Sequence, residues 1–167
     1  MPFLFTDAVI PLPIAEVFPF FSDASNLEKI TLAGLGFQIL TPLPIAMEEG
    51  TIIDYRIKIG GVPNHWRSRI TSWEPPYQFA DEQLKGPYRK WLHTHRFEAC
   101  DHGTRMKDEV EYELPFGVFG RLVHPLIRRQ LRTIFAFRSK TVGSHLPLPE
   151  NSEVTHGTIE FYDDKPN

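Results

Sequence analysis

His93-Thr94-His95 is the feature of this chain whose residue types and spacing most directly suggest chemistry. On a β-strand, residues two apart project to one face about 7 Å apart, so the two imidazoles could bracket a substrate or a metal. A histidine oriented by a carboxylate titrates near neutrality and can move a proton. Asp81 and Asp108 are the carboxylates placed to serve, and Gln83 adds an amide. Two readings of this group stand side by side. The histidines and their partners satisfy one another as a buried polar network, or they face a ligand. As catalysts, His93 and His95 would transfer protons in a cyclisation, dehydration or hydrolysis, with Asp108 orienting them. No third metal ligand is assured, so no metal is assigned, and no nucleophile or oxyanion site accompanies them.

The remaining candidates are weaker. Gly60-Gly61 and Gly34-x-Gly36 read as turn glycines and form no phosphate loop. Cys100 is the single cysteine, next to a turn and without an activating partner; it excludes an internal disulfide framework. From residue 118 onward Arg121, Arg128, Arg129, Arg132, Arg138 and Lys140 make a basic run, with no acidic residue between Leu114 and Pro149. Such a run is ordinarily the solvated face of a helix, and it also allows transient contact with an anionic membrane. The net charge of −3 argues against nucleic acid as a partner.

These residues need a scaffold, and the chain is long enough to build one. Its 167 residues fit one domain with a sizeable core. Thirteen Phe, five Tyr and three Trp supply rigid apolar surface for that core or for a cavity. The start of the chain lacks the basic and apolar segments of a secretory signal, and no apolar run reaches the roughly 18 residues needed to cross a bilayer. A cytoplasmic protein, monomeric or homodimeric, is expected.

Turn signals divide the chain. Phe3–Ile10 reads as a first strand, Ile14–Phe21 as a short helix that Pro19 interrupts or ends early, and Ala24–Ile30 as a second short helix capped by Ser22-Asp23. A short strand follows at Phe37–Leu40. Five longer strands then succeed one another: Thr51–Ile59, Val62–Trp73, Tyr77–Leu84, Tyr88–Ala99 and Thr104–Leu114. The turns between them include Gly60-Gly61, Lys85-Gly86-Pro87 and Asp101-His102-Gly103. Consecutive hairpins make an antiparallel meander. From Val118 to about Ser144 the apolar period lengthens to three and four, through Phe119, Leu122, Val123, Leu126, Ile127, Leu131, Ile134, Phe135 and Val142. That is one long amphipathic helix, with a kink or restart expected at Pro125. Residues 146–167 form an acidic tail polar enough to be partly disordered, with Thr158–Tyr162 as a candidate edge strand.

Alternation assigns the strand faces. Charged Lys107, Glu109, Glu111 and Glu113 face out, so Met106, Asp108, Val110, Tyr112 and Leu114 face in. By the same logic Trp91, His93, His95 and Phe97 face in, as do Ile53, Tyr55, Ile57 and Ile59. Trp66, Ser68 and Ile70 share the interior with Phe79, Asp81 and Gln83. The expected interior is aromatic and aliphatic with a polar minority, which suits a ligand pocket.

Several segments resemble the SRPBCC (START/Bet v 1-like) superfamily, above all its bacterial ligand-binding members related to polyketide cyclase/dehydrase-like proteins. They are Leu27-Glu28-Lys29-Ile30-Thr31, residues 65–76 from His65-Trp66-Arg67 to Pro75-Pro76, Phe79-Ala80-Asp81-Glu82-Gln83, Gly86-Pro87-Tyr88, residues 91–97 and Leu114-Pro115-Phe116-Gly117. The likeness spans roughly the first 145 residues, a domain-sized stretch. It departs at Leu32-Ala33-Gly34, where a proline-containing turn is expected. The resemblance implies an α+β helix-grip fold: a curved antiparallel sheet wrapped around a long C-terminal helix, with two short helices after the first strand. It also implies a hydrophobic small-molecule ligand, a lipid, polyketide-like or aromatic compound, held between sheet and helix. Tyr55, Trp66, Phe79, Trp91, Tyr112 and Phe135 would wall the cavity. Asp81, Gln83, His93, His95 and Asp108 would orient a polar group on the ligand. A cofactor-free cyclase/dehydratase-type enzyme using His93, His95 and Asp108 is the alternative.

Overall fold

Runs of alternating charged and apolar residues between glycine- and proline-containing turns fold as strands, because one pleated face can then be buried while the other stays in water. The computed structural model describes residues 1–59, 61–115 and 117–165, with residues 118–121 described as backbone only. Its strands are β1 (Phe3–Ile10), β2 (Gln38–Ile39), β3 (Ile52–Ile59), β4 (Val62–Glu74), β5 (Gln78–Lys85), β6 (Lys90–Cys100), β7 (Gly103–Glu113) and β8 (Thr155–Tyr162). They form a single antiparallel sheet in the order β2-β3-β4-β5-β6-β7-β1-β8. Helix α1 (Ile14–Ser22) and 3₁₀ turns at Ala24–Glu28 and Ala33–Leu35 link β1 to β2, and α2 (Val118–Val142) follows β7. This is the helix-grip α+β fold.

The core is continuous between helix and sheet. Leu131 and Phe135 of α2 pack with Leu4, Trp66, Trp91, Val110 and Tyr112. Val142, the last residue of the helix, joins Ile10, Val17, Phe18, Phe97 and Met106. Each such side chain contributes roughly 1.5–3 kcal/mol by leaving water. No helix among the described residues is long and apolar enough to cross a membrane.

Several expectations are corrected. The second short helix is a 3₁₀ turn of five residues, Ala24–Glu28, started by Asp23, whose carboxylate accepts from Ser25 N at 2.9 Å. Side chains take over beyond it: the Thr31 hydroxyl donates to Leu27 O at 2.6 Å, a local bond that competes with helix continuation. The strand expected over Phe37–Leu40 shrinks to Gln38–Ile39, since Leu40 N and Thr41 N both turn to one carbonyl, that of Asp54. Both helices run unbroken through their prolines, α1 through Pro19 and α2 through Pro125. The apolar stripe of α2 is also buried only in part, because Leu122 and Leu126 are 79% and 65% exposed while Leu131 and Phe135 are buried. Phe119, expected in that stripe, and Gly60 and Phe116, expected in turns, lie outside the described residues.

The end of the chain returns to the sheet. Strand β8 pairs with β1 from Phe3↔Tyr162 to Val9↔Thr155, three residues longer than the alternation around Thr158–Tyr162 suggested. Arg128 and Arg132 of α2 lie over the Phe161 ring of β8, 5.7 and 5.1 Å from its centroid, and Arg128 pairs with Asp163 at 2.5 Å. The basic residues of this part of the helix thus hold β8 as well as meeting solvent.

Candidate functional site

Between the sheet and α2 lies a cavity of about 150 Å³. Its sheet wall comes from every second residue of four strands: Ile53, Tyr55 and Ile57 of β3, Trp66, Ser68 and Ile70 of β4, Phe79 and Asp81 of β5, and Trp91, His93 and His95 of β6. Leu131, Ile134, Phe135 and Arg138, spaced by three and four, supply the opposite wall from one face of α2. Phe21, Leu27, Ile30 and Leu35 close the side toward α1. Following Leu32, where the resemblance leads to the expectation of a proline-containing turn, the 3₁₀ turn Ala33–Leu35 seats Leu35 in that wall.

The aromatic wall is internally braced. Tyr55 stacks on Trp66 with centroids 5.7 Å apart, and Trp66 meets Trp91 edge-to-face at 5.4 Å. Phe79 stacks on His95 at 4.3 Å. Such pairs fix ring positions before any ligand arrives.

The polar groups cluster on adjacent strands in two hydrogen-bonded sets. Trp66 Nε1 donates to Ser68 Oγ at 3.1 Å, and Ser68 Oγ donates to Asp81 Oδ2 at 3.1 Å. Asp81 stands opposite His93 on the neighbouring strand, and His95 stands opposite Asp108. His93 Nε2 is 2.9 Å from Asp108 Oδ1. His95 Nδ1 lies 2.7 Å from the same oxygen, but its N–H does not point along that line and makes no aligned hydrogen bond. Because both rings reach for a single oxygen, their centroids close to 3.9 Å, well under the strand repeat.

Burial governs the charges here. It drives His95 down to about 4, helped by repulsion from His93 and opposed by Asp108, so the imidazole is neutral near pH 7. Burial also pushes the Asp81 carboxyl up, against the pull of His93, the Ser68 hydroxyl and Arg138. For Asp108 burial pushes the same way, but attraction to the two histidines, with the His93 hydrogen bond, outweighs it and holds the group well below the usual carboxylate range. Tyr55 rises well above its ordinary value, chiefly through burial.

Of the residues expected around a ligand, Tyr55, Trp66, Phe79, Asp81, Trp91, His93, His95 and Phe135 line this cavity. Three stand elsewhere. Asp108 sits one layer behind the histidines, facing a smaller cavity with Thr6, Met106 and Val142. Tyr112 is buried behind Trp91, its hydroxyl 3.0 Å from His124 Nε2 of α2. Gln83 spends its amide on the β5–β6 turn: Nε2 donates to Tyr88 O at 2.6 Å and Oε1 accepts from Tyr88 N at 3.3 Å. Residue 86 must be glycine for that clamp, since a Cβ there would lie 2.3 Å from Gln83 Oε1. The clamp places Tyr88, itself a cavity residue, 4.8 Å from Trp91.

Arg138 is the cavity residue that strand alternation could not find. It belongs to the basic run of α2, yet it follows Leu131, Ile134 and Phe135 at helical spacing, and that spacing was the available signal. Asp81, His93 and His95 each offer a donor atom within 4.8 Å of the others, a set able to hold a divalent cation. The Arg138 guanidinium on the same cavity opposes a further positive charge.

A curved sheet closed by a long helix over an apolar cavity defines a protein of the helix-grip class. The chain belongs to the family described as polyketide cyclase / dehydrase and lipid transport, which it matches over residues 10–137, and with it to the SRPBCC superfamily. Solved structures of the same fold include TTHA0849 from Thermus thermophilus, 19% identical with a TM-score of 0.62, covering 84% of this chain and 93% of that one. Protein CV1439 from Chromobacterium violaceum is 13% identical with a TM-score of 0.68, covering 88% and 99%. Ara h 8.0201 is 15% identical with a TM-score of 0.58, covering 84% and 97%. No curated protein matches the chain in sequence.

Proposed function

We propose that this protein binds a hydrophobic small molecule, a lipid, polyketide-like or aromatic compound, in the cavity between sheet and α2. The observation that carries this reading is the wall itself: aromatic and aliphatic side chains from four strands and a helix, interrupted by a cluster of polar groups. A protein interior packs to near-crystalline density, so a space of about 150 Å³ left open by stacked aromatic rings is best explained by an occupant. Ser68, Asp81, His93 and His95 would then orient the polar end of the ligand. Native mass spectrometry of gently purified protein tests this. An excess mass lost on denaturation, and missing from an Ile134→Trp variant whose indole fills the cavity, is expected. A bare chain from both proteins counts against a tightly held ligand.

One observation favours a second reading, a cofactor-free cyclase/dehydratase-type enzyme. Asp108 orients His93 by a hydrogen bond and lies beside His95 through the same oxygen, an arrangement that suits an imidazole to proton transfer. His95, neutral near pH 7, would serve as base, and Asp81, pushed toward its neutral form, as acid. On this reading His95→Gln abolishes turnover while ligand binding persists; on pure binding it changes affinity modestly.

A further inference from the structure

Arg138 carries a charge that no ion pair matches among the described residues. It lines the cavity from α2, and its Nε is shielded from water without a hydrogen-bond partner. Its guanidinium carbon lies over the Phe135 ring, 5.4 Å from the centroid, a cation–π contact that leaves the N–H donors free for an acceptor. Among the described residues no carboxylate forms an ion pair with it, in contrast to Arg128, which pairs with Asp163. Two carboxylates that share a cavity with it are committed elsewhere. Asp81 accepts from Ser68, and Asp108 is held by His93 and His95. A guanidinium offers five donors in a rigid fork, and leaving one of them dry and unpaired is costly unless an acceptor arrives with a partner molecule.

We infer that the cavity ligand is an acid: a compact aromatic or polycyclic molecule with one anionic oxygen group, carboxylate or phenolate-like, that docks on Arg138. The inference rests on the cavity reading above and narrows it. Size and charge both fit. A cavity of about 150 Å³ matches one or two fused rings, and the aromatic wall formed by Trp66, Trp91 and Phe79 suits their faces. Arg138 sits on the boundary with the smaller cavity behind Asp108. A structural role there, balancing Asp108 at a distance, is therefore the rival explanation.

Isothermal titration with three probes that share a ring system separates these. The probes are 2-naphthoate, 2-naphthylmethanol and 2-naphthylmethylammonium, at pH 7.5. The intact protein should bind the carboxylate at least about ten-fold more tightly than the alcohol, the size of one charge-assisted hydrogen bond, and the ammonium most weakly. In Arg138→Met the acid should fall to the affinity of the alcohol, with the alcohol unchanged. Arg138→Lys should keep part of the preference, and Arg129→Met, on the exposed side of α2, all of it. Equal binding of acid and alcohol by the intact protein overturns the inference and leaves the cavity reading standing, even if Arg138→Met fails to fold. A preference surviving in Arg138→Met, or the ammonium binding best, also overturns it. If none of the three binds, the cavity reading fails and this inference fails with it.

Discussion

His93 Nε2 lies 2.9 Å from Asp108 Oδ1, and this contact between adjacent strands ties the cavity wall to the layer behind it. The same oxygen is 2.7 Å from His95 Nδ1, so one buried carboxylate faces two cavity rings and holds one of them by a hydrogen bond. Replacing Asp108 by Asn keeps the volume and removes the charge. Hydrogen bonds to charged groups contribute about 1.5–3 kcal/mol, so Asp108→Asn should lower unfolding free energy by roughly 2 kcal/mol in urea titration. Unchanged stability would show that the histidines do not depend on the charge.

Stability should also fall as pH drops below neutrality. His95 has a folded pKa of about 4 against an ordinary 6.5, so the unfolded chain binds a proton at this site before the folded one does. Its contribution is therefore full above pH 6.5 and lost progressively as pH falls from 6.5 to about 4, an effect of about 3 kcal/mol. Asp108, held below the usual carboxylate range, contributes stability above its unfolded pKa near 4 and loses it as pH falls further. Urea midpoints measured from pH 7 to 4 should slope downward in the native protein. In His95→Gln the slope over this window should flatten by the His95 share; an identical slope would place the titration elsewhere.

Gln83 separates two roles by experiment. Alternation puts it on the inner face with Phe79 and Asp81, which suggests contact with a ligand. Its amide instead clamps both backbone groups of Tyr88. Gln83→Ala should therefore cost about 1–2 kcal/mol through two lost hydrogen bonds and shift the tryptophan emission, since Tyr88 packs on Trp66 and Trp91. A ligand-contact role predicts near-native stability and emission with weakened binding.

Most of the scaffold was legible because strands report their faces with a strict period of two. The inward residues of β6 and β7, from Trp91 to Phe97 and from Met106 to Tyr112, are all buried as alternation requires. What stayed hidden has physical reasons. Alternation says which face a residue occupies, not whether its polar atoms are spent on a turn, so Gln83 and Asp108 read as ligand contacts. A helix offers a broad stripe, and Arg138 sits at its charged margin, where a long side chain reaches into the cavity or out to water from the same backbone position. The exposed Leu122 and Leu126 show the converse: helical spacing is correct, but the side of these turns that meets the sheet is the one carrying His124 and Ile127.

The β6–β7 turn sets the register that brings His93, His95 and Asp108 together, and Gly103 makes this turn possible. Its φ is +124°, and a Cβ there would lie 2.2 Å from the carbonyl oxygen of Ile10 and 2.9 Å from Leu12 N. Backbone on both sides leaves no flexible atom to yield. Gly61, at the β3–β4 turn, has φ +82° but nothing within 4 Å of the added carbon. The two alanine variants thus separate backbone strain from collision. Gly61→Ala should cost about 1 kcal/mol, the penalty of a left-handed conformation alone. Gly103→Ala should cost more, about 3 kcal/mol, because the chain crossing from β1 to α1 must also move. Urea unfolding of both variants decides it. Equal losses would mean that the β1–α1 connection yields freely, and the histidine pair would then owe its register to side-chain packing instead of this turn.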